Sequence, residues 1–105
     1  MLQISQRKVA QIILYGHEIE RGEAELRGFL ETLNDEELHS LVAVMWIGRG
    51  SFEPDDLAEA MATAEREASI PTPDYLLGSP HFCDHLESGM EALGLSVADA
   101  EEDLL

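Results

Sequence analysis

The residues best suited to chemistry lie at His81-Phe82-Cys83-Asp84-His85, where two imidazoles, a thiol and a carboxylate fall within five positions. Imidazole nitrogen and thiolate sulfur are good zinc ligands. Helical geometry divides the group: at about 100° per residue, Cys83 points roughly 200° away from His81, toward the opposite side. His81 and His85 share a side, but two ligands without a third hold a divalent ion poorly. The other histidines, His17 and His39, fall in separate segments. No metal and no cofactor is expected. Cys83 borders an apolar stripe and reads as a small buried hydrophobe, not a reactive thiol.

Other site patterns fail on their own chemistry. With Gly50 aligned to the mid-loop glycine of a calcium-binding EF-hand, Phe52 and Asp56 fall in suitable places, but Met45, Ile47 and Arg49 take the ligand positions before it. None of the three offers a carboxylate, and Arg49 would set a positive charge beside the ion. A helix-turn-helix over the same stretch would press Asp55, Asp56 and Glu59 toward phosphates, which repel them. The chain holds no nucleophile elbow, HExxH, glycine-rich phosphate loop or CxxC, so no catalytic residue is assigned.

The most distinctive segment is Trp46-Ile47-Gly48-Arg49-Gly50. Gly48 and Gly50 are expected in backbone conformations closed to other residues, with Trp46 anchoring the turn. Arg49 is nearly alone in its charge and is expected to pair with Asp55, Asp56 or the acidic cap of a neighbouring helix. Trp46, Gly48, Arg49, Gly50, Tyr75 and Gly78 form the candidate structural or interaction site. The alternative is a pocket near Trp46, Arg49 and Tyr75, bordered by His85, in a small ligand-binding protein or enzyme.

Charge narrows the partners. The 105 residues carry 22 Asp and Glu against 6 Lys and Arg, a net of −16, which argues against nucleic-acid binding. Residues 1–52 hold eight acids and five bases, whereas 53–105 hold fourteen acids and one base, Arg66. A field so concentrated repels anionic lipid and steers basic proteins. The apolar fraction of 45% is too high for a disordered acidic chain. No apolar run approaches the length of a membrane span, and Met1 to Ser5 do not open a secretion signal. A single cysteine excludes an internal disulfide and fits a reducing cytoplasm.

The elements that must position these residues are helical, because apolar residues recur at helical spacing and nowhere alternate with a period of two. The first segment begins near Ser5, carries Val9, Ile12, Ile13, Gly16 and Ile19 on one stripe, and ends near Gly22. The second, Glu23 to Leu33, presents Leu26, Phe29, Leu30 and Leu33. Asn34 with Glu37 reads as a capping box opening the third, which presents Leu38, Leu41, Val42, Met45 and Trp46 and stops in Gly48-Arg49-Gly50. The fourth starts at Pro54, with Leu57, Ala60, Met61, Ala64 and Ala68 inward. After Pro71 a short turn, Thr72 to Gly78, precedes the fifth, with Phe82, Leu86, Gly89, Met90 and Leu93 inward and Gly94 as stop. Ser96 to Leu105 is either a short helix or a tail.

Leu33-Asn34-Asp35-Glu36-Glu37, Leu41-Val42-Ala43, Trp46-Ile47-Gly48-Arg49-Gly50, Asp74-Tyr75-Leu76-Leu77-Gly78-Ser79-Pro80 and His85-Leu86-Glu87-Ser88-Gly89 follow one another in this order. In this the chain resembles the small bacterial family called domain of unknown function 3775, from about Leu26 to Leu93. The tryptophan and tyrosine pieces are fairly specific together and unspecific alone. The resemblance implies a longer polar insert after the first helix, for which Gly16 to Glu25 leave no room. It also implies apolar residues where this chain has His81, Phe82 and Cys83, and it carries over no activity.

The expected fold is all-α: an irregular bundle of four main helices with the short Thr72–Gly78 turn and an optional C-terminal helix. Residues 1–94 form one domain and 95–105 an acidic tail or short helix. The expected function is a non-catalytic, cytoplasmic protein-interaction or regulatory module, whose partner is another protein or a second copy in a homodimer. An acidic nucleic-acid mimic masking a basic protein is the remaining reading. Self-repulsion among the carboxylates has a direct consequence. Thermal melts near neutral pH should show a midpoint that rises between low salt and about 0.5 M salt, where exposed charges are screened. An unchanged midpoint would mean the acids are neutralised locally.

Overall fold

The computed structural model describes residues 2–16, 22–67, 71–79 and 81–95. Among them every regular element is helical: α1 (Gln6–Gly16), α2 (Gly22–Glu31), α3 (Asp35–Arg49), α4 (Leu57–Arg66), α5 (Thr72–Leu77) and α6 (Phe82–Ala92). A 3-10 turn at Pro54–Asp56 leads into α4. The all-α class holds, but five helices of ten or more residues stand where four were expected. Each of the five amphipathic segments closes its own hydrogen-bonded helix. The stripe positions Ile19 and Ala68, and the stretch 96–105, lie outside the described residues.

Local chemistry sets the boundaries. Ser5 Oγ accepts the Lys8 N–H at 3.2 Å and so caps α1. At the start of α3, Asn34 Oδ1 accepts the Glu37 N–H at 2.8 Å and Glu37 Oε1 accepts the Asn34 N–H at 3.1 Å. These bonds complete the expected capping box. The other Glu37 oxygen receives Lys8 Nζ at 2.6 Å, which ties α1 to α3. The Lys8 hydrogen bond, followed by the Asn34 N–H, holds the Glu37 carboxyl below its ordinary range. Two helices end on left-handed glycines. Gly50 (φ 91°) closes α3 with Ser51 N–H donating to Trp46 O, and Gly94 (φ 76°) closes α6 with Leu95 N–H donating to Met90 O.

Packing turns these helices into one core. The third helix is buried along nearly its whole length, with Leu38 and every residue from Ser40 to Ile47 shielded from water. The sequence shows only a stripe there, but α3 packs against α6 on one side, α4 on another and α5 at its end, so little of its surface remains for solvent. α1 packs on α2 and α6, and α5 lies on α2 and α3. Ser40 is the one buried polar residue among those described. Its hydroxyl accepts the Gln3 N–H at 3.0 Å and donates to Met61 Sδ at 3.8 Å, so this buried hydroxyl is paired as donor and as acceptor.

The closest approach is between α3 and α6. Gly48 has an ordinary helical backbone, since Gly50 and Gly94 are the glycines with positive φ among the described residues. Its expected unusual conformation is thus absent, and space is the reason for glycine. A Cβ on Gly48 would overlap the His85 carbonyl oxygen, and one on Gly89 would overlap the Val44 carbonyl oxygen. Gly48→Ala or Gly89→Ala must therefore force two backbones apart. Each is expected to cost more than about 3 kcal/mol in urea unfolding. Gly28, at an exposed position of α2 with nothing near its missing Cβ, is the control. Gly28→Ala should add roughly 0.5–1 kcal/mol.

Candidate functional site

The candidate site forms where the C-terminal end of α3 meets α5 and the turn after Gly50. Burial of α3 fixes Trp46 in place, with 9% of its surface exposed. The left-handed turn at Gly50 reverses the chain so that Phe52 lies on the indole, ring centroids 5.6 Å apart and planes inclined by 20°. From α5, Tyr75 brings its hydroxyl to the indole Nε1–H, which donates to it at 3.0 Å. The short helix is braced by Tyr75 N–H donating to Pro71 O at 3.1 Å and by Ser79 Oγ donating to Tyr75 O at 2.8 Å. The indole N–H thus finds the partner that a buried indole requires.

The structure joins some of the sequence-chosen residues and separates others. Trp46 and Tyr75 are in direct contact, and Gly50 shapes the turn beside them. Gly48 faces α6, and Gly78 follows α5 in right-handed conformation (φ −82°). Among the described residues Arg49 makes none of the expected ion pairs, with Asp55, Asp56 or the acidic cap of a neighbouring helix. Arg49 is exposed and its Nε donates to Ser51 Oγ at 3.2 Å. The turn at Gly50 sets Ser51 within reach, and an ion pair in water would gain little over it. His85 meets α3 through its carbonyl oxygen at Gly48, while its ring stands edge-on to His81 with centroids 6.4 Å apart. Phe52 was not selected from sequence. The available signal was an aromatic directly after the glycine turn, between polar Ser51 and Glu53.

The histidine-cysteine segment also differs from its expected geometry. His81 precedes α6 as its N-cap in left-handed conformation, φ 57° and ψ 30°, so it is not on the same helix as Cys83 and His85. His81 Nδ1 lies 3.8 Å from Asp84 Oδ2, both well exposed. Among the described residues no three His, Cys, Asp or Glu side chains converge as ligands. Cys83 is half-buried between α6 and α1, its thiol donating to Ile12 O at 3.8 Å and filling the space where a Cβ on Gly16 would stand. Burial first, then the charges of Asp84 and Glu87, push the thiol up to about 11.

Around this core the acids face water. Asp55, Glu59, Glu65, Glu67 and Glu91 are exposed and make no ion pair among the described residues. The cations that do engage acids lie elsewhere, Lys8 on Glu37 and Arg27 on Asp74, the latter at 2.6 Å with both side chains nearly half exposed. No helix among the described residues is long and apolar enough to cross a membrane.

These features define an all-α domain wrapped round a buried central helix, with an aromatic cluster at one end and exposed carboxylates that make no ion pair among the described residues outside. The chain belongs to the family described as protein of unknown function, DUF3775, whose model matches residues 23–95. That span covers α2 through α6 and both halves of the Trp46–Tyr75 contact. No curated protein and no solved structure matches the chain.

The Cys83 environment gives a checkable reactivity. At pH 8 the folded chain should react with iodoacetamide at least about tenfold more slowly than the urea-unfolded chain, because the thiolate is the nucleophile. The raised pKa also fixes the sign of the pH dependence. The unfolded thiol ionises near its ordinary 9.0 and the folded one near about 11. The Cys83 contribution is therefore complete below pH 9 and is lost as pH rises through that window. Cys83→Ala should flatten this part of the stability profile.

Proposed function

We propose that this domain is a non-catalytic interaction module that offers an acidic helical surface to a basic protein partner, working in a bacterial cytoplasm. The observation that carries the reading is the set of exposed carboxylates that make no ion pair among the described residues: Asp55, Glu59, Glu65 and Glu67 on and beside α4, and Glu91 on α6. Exposed charges that no described residue neutralises are available to an external partner, and they raise association rates with cations of the right spacing. The interior supports the same reading. The aromatic side chains at the candidate pocket fill one another's surfaces, and the half-buried thiol is held neutral. The free thiol suits a reducing compartment.

A second copy is a poorer partner for this surface, because each chain brings a net charge of −16. Any homodimer must use another face.

Affinity capture with the full chain from bacterial lysate, followed by measured binding of the captured protein, tests the reading. The partner should be basic, and its complex should weaken by at least about tenfold between 50 mM and 300 mM salt as exposed charges are screened. Combined Glu59→Lys and Glu65→Lys should weaken it similarly while leaving the helical circular dichroism intact. A chain that captures nothing, or a complex indifferent to salt and to charge reversal, defeats the proposal.

A further inference from the structure

The last turn of α3 holds a cation whose donors the fold leaves largely unused. Arg49 is exposed and makes no ion pair among the described residues, although the chain carries 22 acids. The described bond of its side chain runs from Nε to the Ser51 hydroxyl oxygen at 3.2 Å. A guanidinium presents its N–H donors in a rigid fork that fits the oxygens of a phosphate or carboxylate bidentately. A neutral hydroxyl engages a single prong and answers none of the charge.

Ser51 also differs from the hydroxyls around it. Thr32 donates to Phe29 O, Thr63 to Glu59 O, Ser79 to Tyr75 O and buried Ser40 to Met61 Sδ. The Ser51 hydroxyl only accepts among the described residues, and it is exposed. Exposed Ser5 caps α1, and exposed Ser88 lies within α6. Ser51 instead stands between helices, after left-handed Gly50 and before Glu53, whose backbone is extended (φ −83°, ψ 155°). A modifying enzyme reaches it there without unwinding a helix. The other arginine bonded to a hydroxyl, Arg66 on Thr63 at 3.3 Å, is no equivalent. Thr63 is half-buried within α4, and its proton is already given to Glu59 O.

We propose that Ser51 is a phosphorylation site and that Arg49 is the clamp for its phosphate. The phosphoryl donor is a nucleoside triphosphate held by a serine/threonine kinase. The Ser51 oxygen attacks the γ-phosphorus and forms the new P–O bond while the bond to the bridging oxygen breaks. The nucleoside diphosphate leaves, and the hydroxyl proton passes to the carboxylate base of the kinase. The product carries about −1.5 to −2 charges at neutral pH on strong acceptor oxygens. These replace the neutral Arg49–Ser51 bond with charge-assisted ones that span Gly50. The turn that lays Phe52 on Trp46 is thereby braced, and its cation is neutralised. This device stands apart from the acidic surface on α4, and neither requires the other.

The acceptor role is tested on the full chain with ATP and a purified serine/threonine kinase that prefers arginine shortly before its acceptor. Mass spectrometry should find most of the phosphate on Ser51, and Ser51→Ala should lose it. The clamp is read separately, by phosphorus NMR titration of the folded chain carrying genetically encoded phosphoserine at position 51. Arg49→Gln should raise the titration midpoint of the phosphate by about 0.5 in pH, because a nearby opposite charge favours the dianion. Arg49→Lys keeps the charge without the fork and should fall between the two. Arg49 is exposed, so both variants should keep the helical circular dichroism. A folded chain that stays unlabelled at Ser51 overturns the acceptor role. Equal midpoints with Arg49 and with Arg49→Gln overturn the clamp. So does a difference that is as large in urea, where only the bare sequence acts.

Discussion

The contact on which the rest of the structure depends is the crossing of α3 and α6 at Gly48 and Gly89. At both positions a neighbouring carbonyl oxygen occupies the space a side chain would need. Two backbones this close gain dispersion contacts over their whole crossing surface, and the density of a protein interior allows no partial version of the arrangement. With α6 seated there, α3 loses its solvent face, α1 packs against α6 through Cys83, and α4 covers the remaining side. The long central helix is therefore apolar nearly all round and tolerates one buried hydroxyl, Ser40, because that hydroxyl is paired.

A rigid central helix also explains the aromatic cluster. Trp46 sits one turn from the end of α3, where the glycine turn doubles Phe52 back over it and α5 supplies the Tyr75 hydroxyl. The cluster is packed among its own rings, whereas Asp55, Glu59, Glu65, Glu67 and Glu91 face outward and make no ion pair among the described residues. The interior is thus organised by shape and hydrogen bonding, and the exterior by unbalanced charge.

Much of the local architecture was legible because its causes are local. Ser5, the Asn34–Glu37 box, Pro54, Gly50 and Gly94 each act on hydrogen bonds within three to five residues of themselves, so a reading along the chain locates them. The inward residues of α6 follow from its apolar period, and Phe82, Leu86, Gly89 and Met90 are all buried. The family likeness from Leu26 to Leu93 falls within the matched span 23–95. Less legible were the features that need a second segment. Gly48 looks like a turn residue until α6 is beside it. Arg49 looks like an ion-pair donor until the turn brings Ser51 nearer. His81 looks helical from its spacing but stands before α6 as a left-handed N-cap.

The amino-acid sequence by itself determined which stretches coil, where most coils stop, and how strongly the second half of the chain is charged. Those properties arise from neighbours along the chain and from composition. Tertiary structure alone decided that α3 is central, that Gly48 serves contact instead of turning, and that Trp46, Phe52 and Tyr75 form one cluster. Such outcomes depend on atoms far apart in the chain occupying or vacating the same few ångströms, and periodicity along one helix carries no record of what lies across from it.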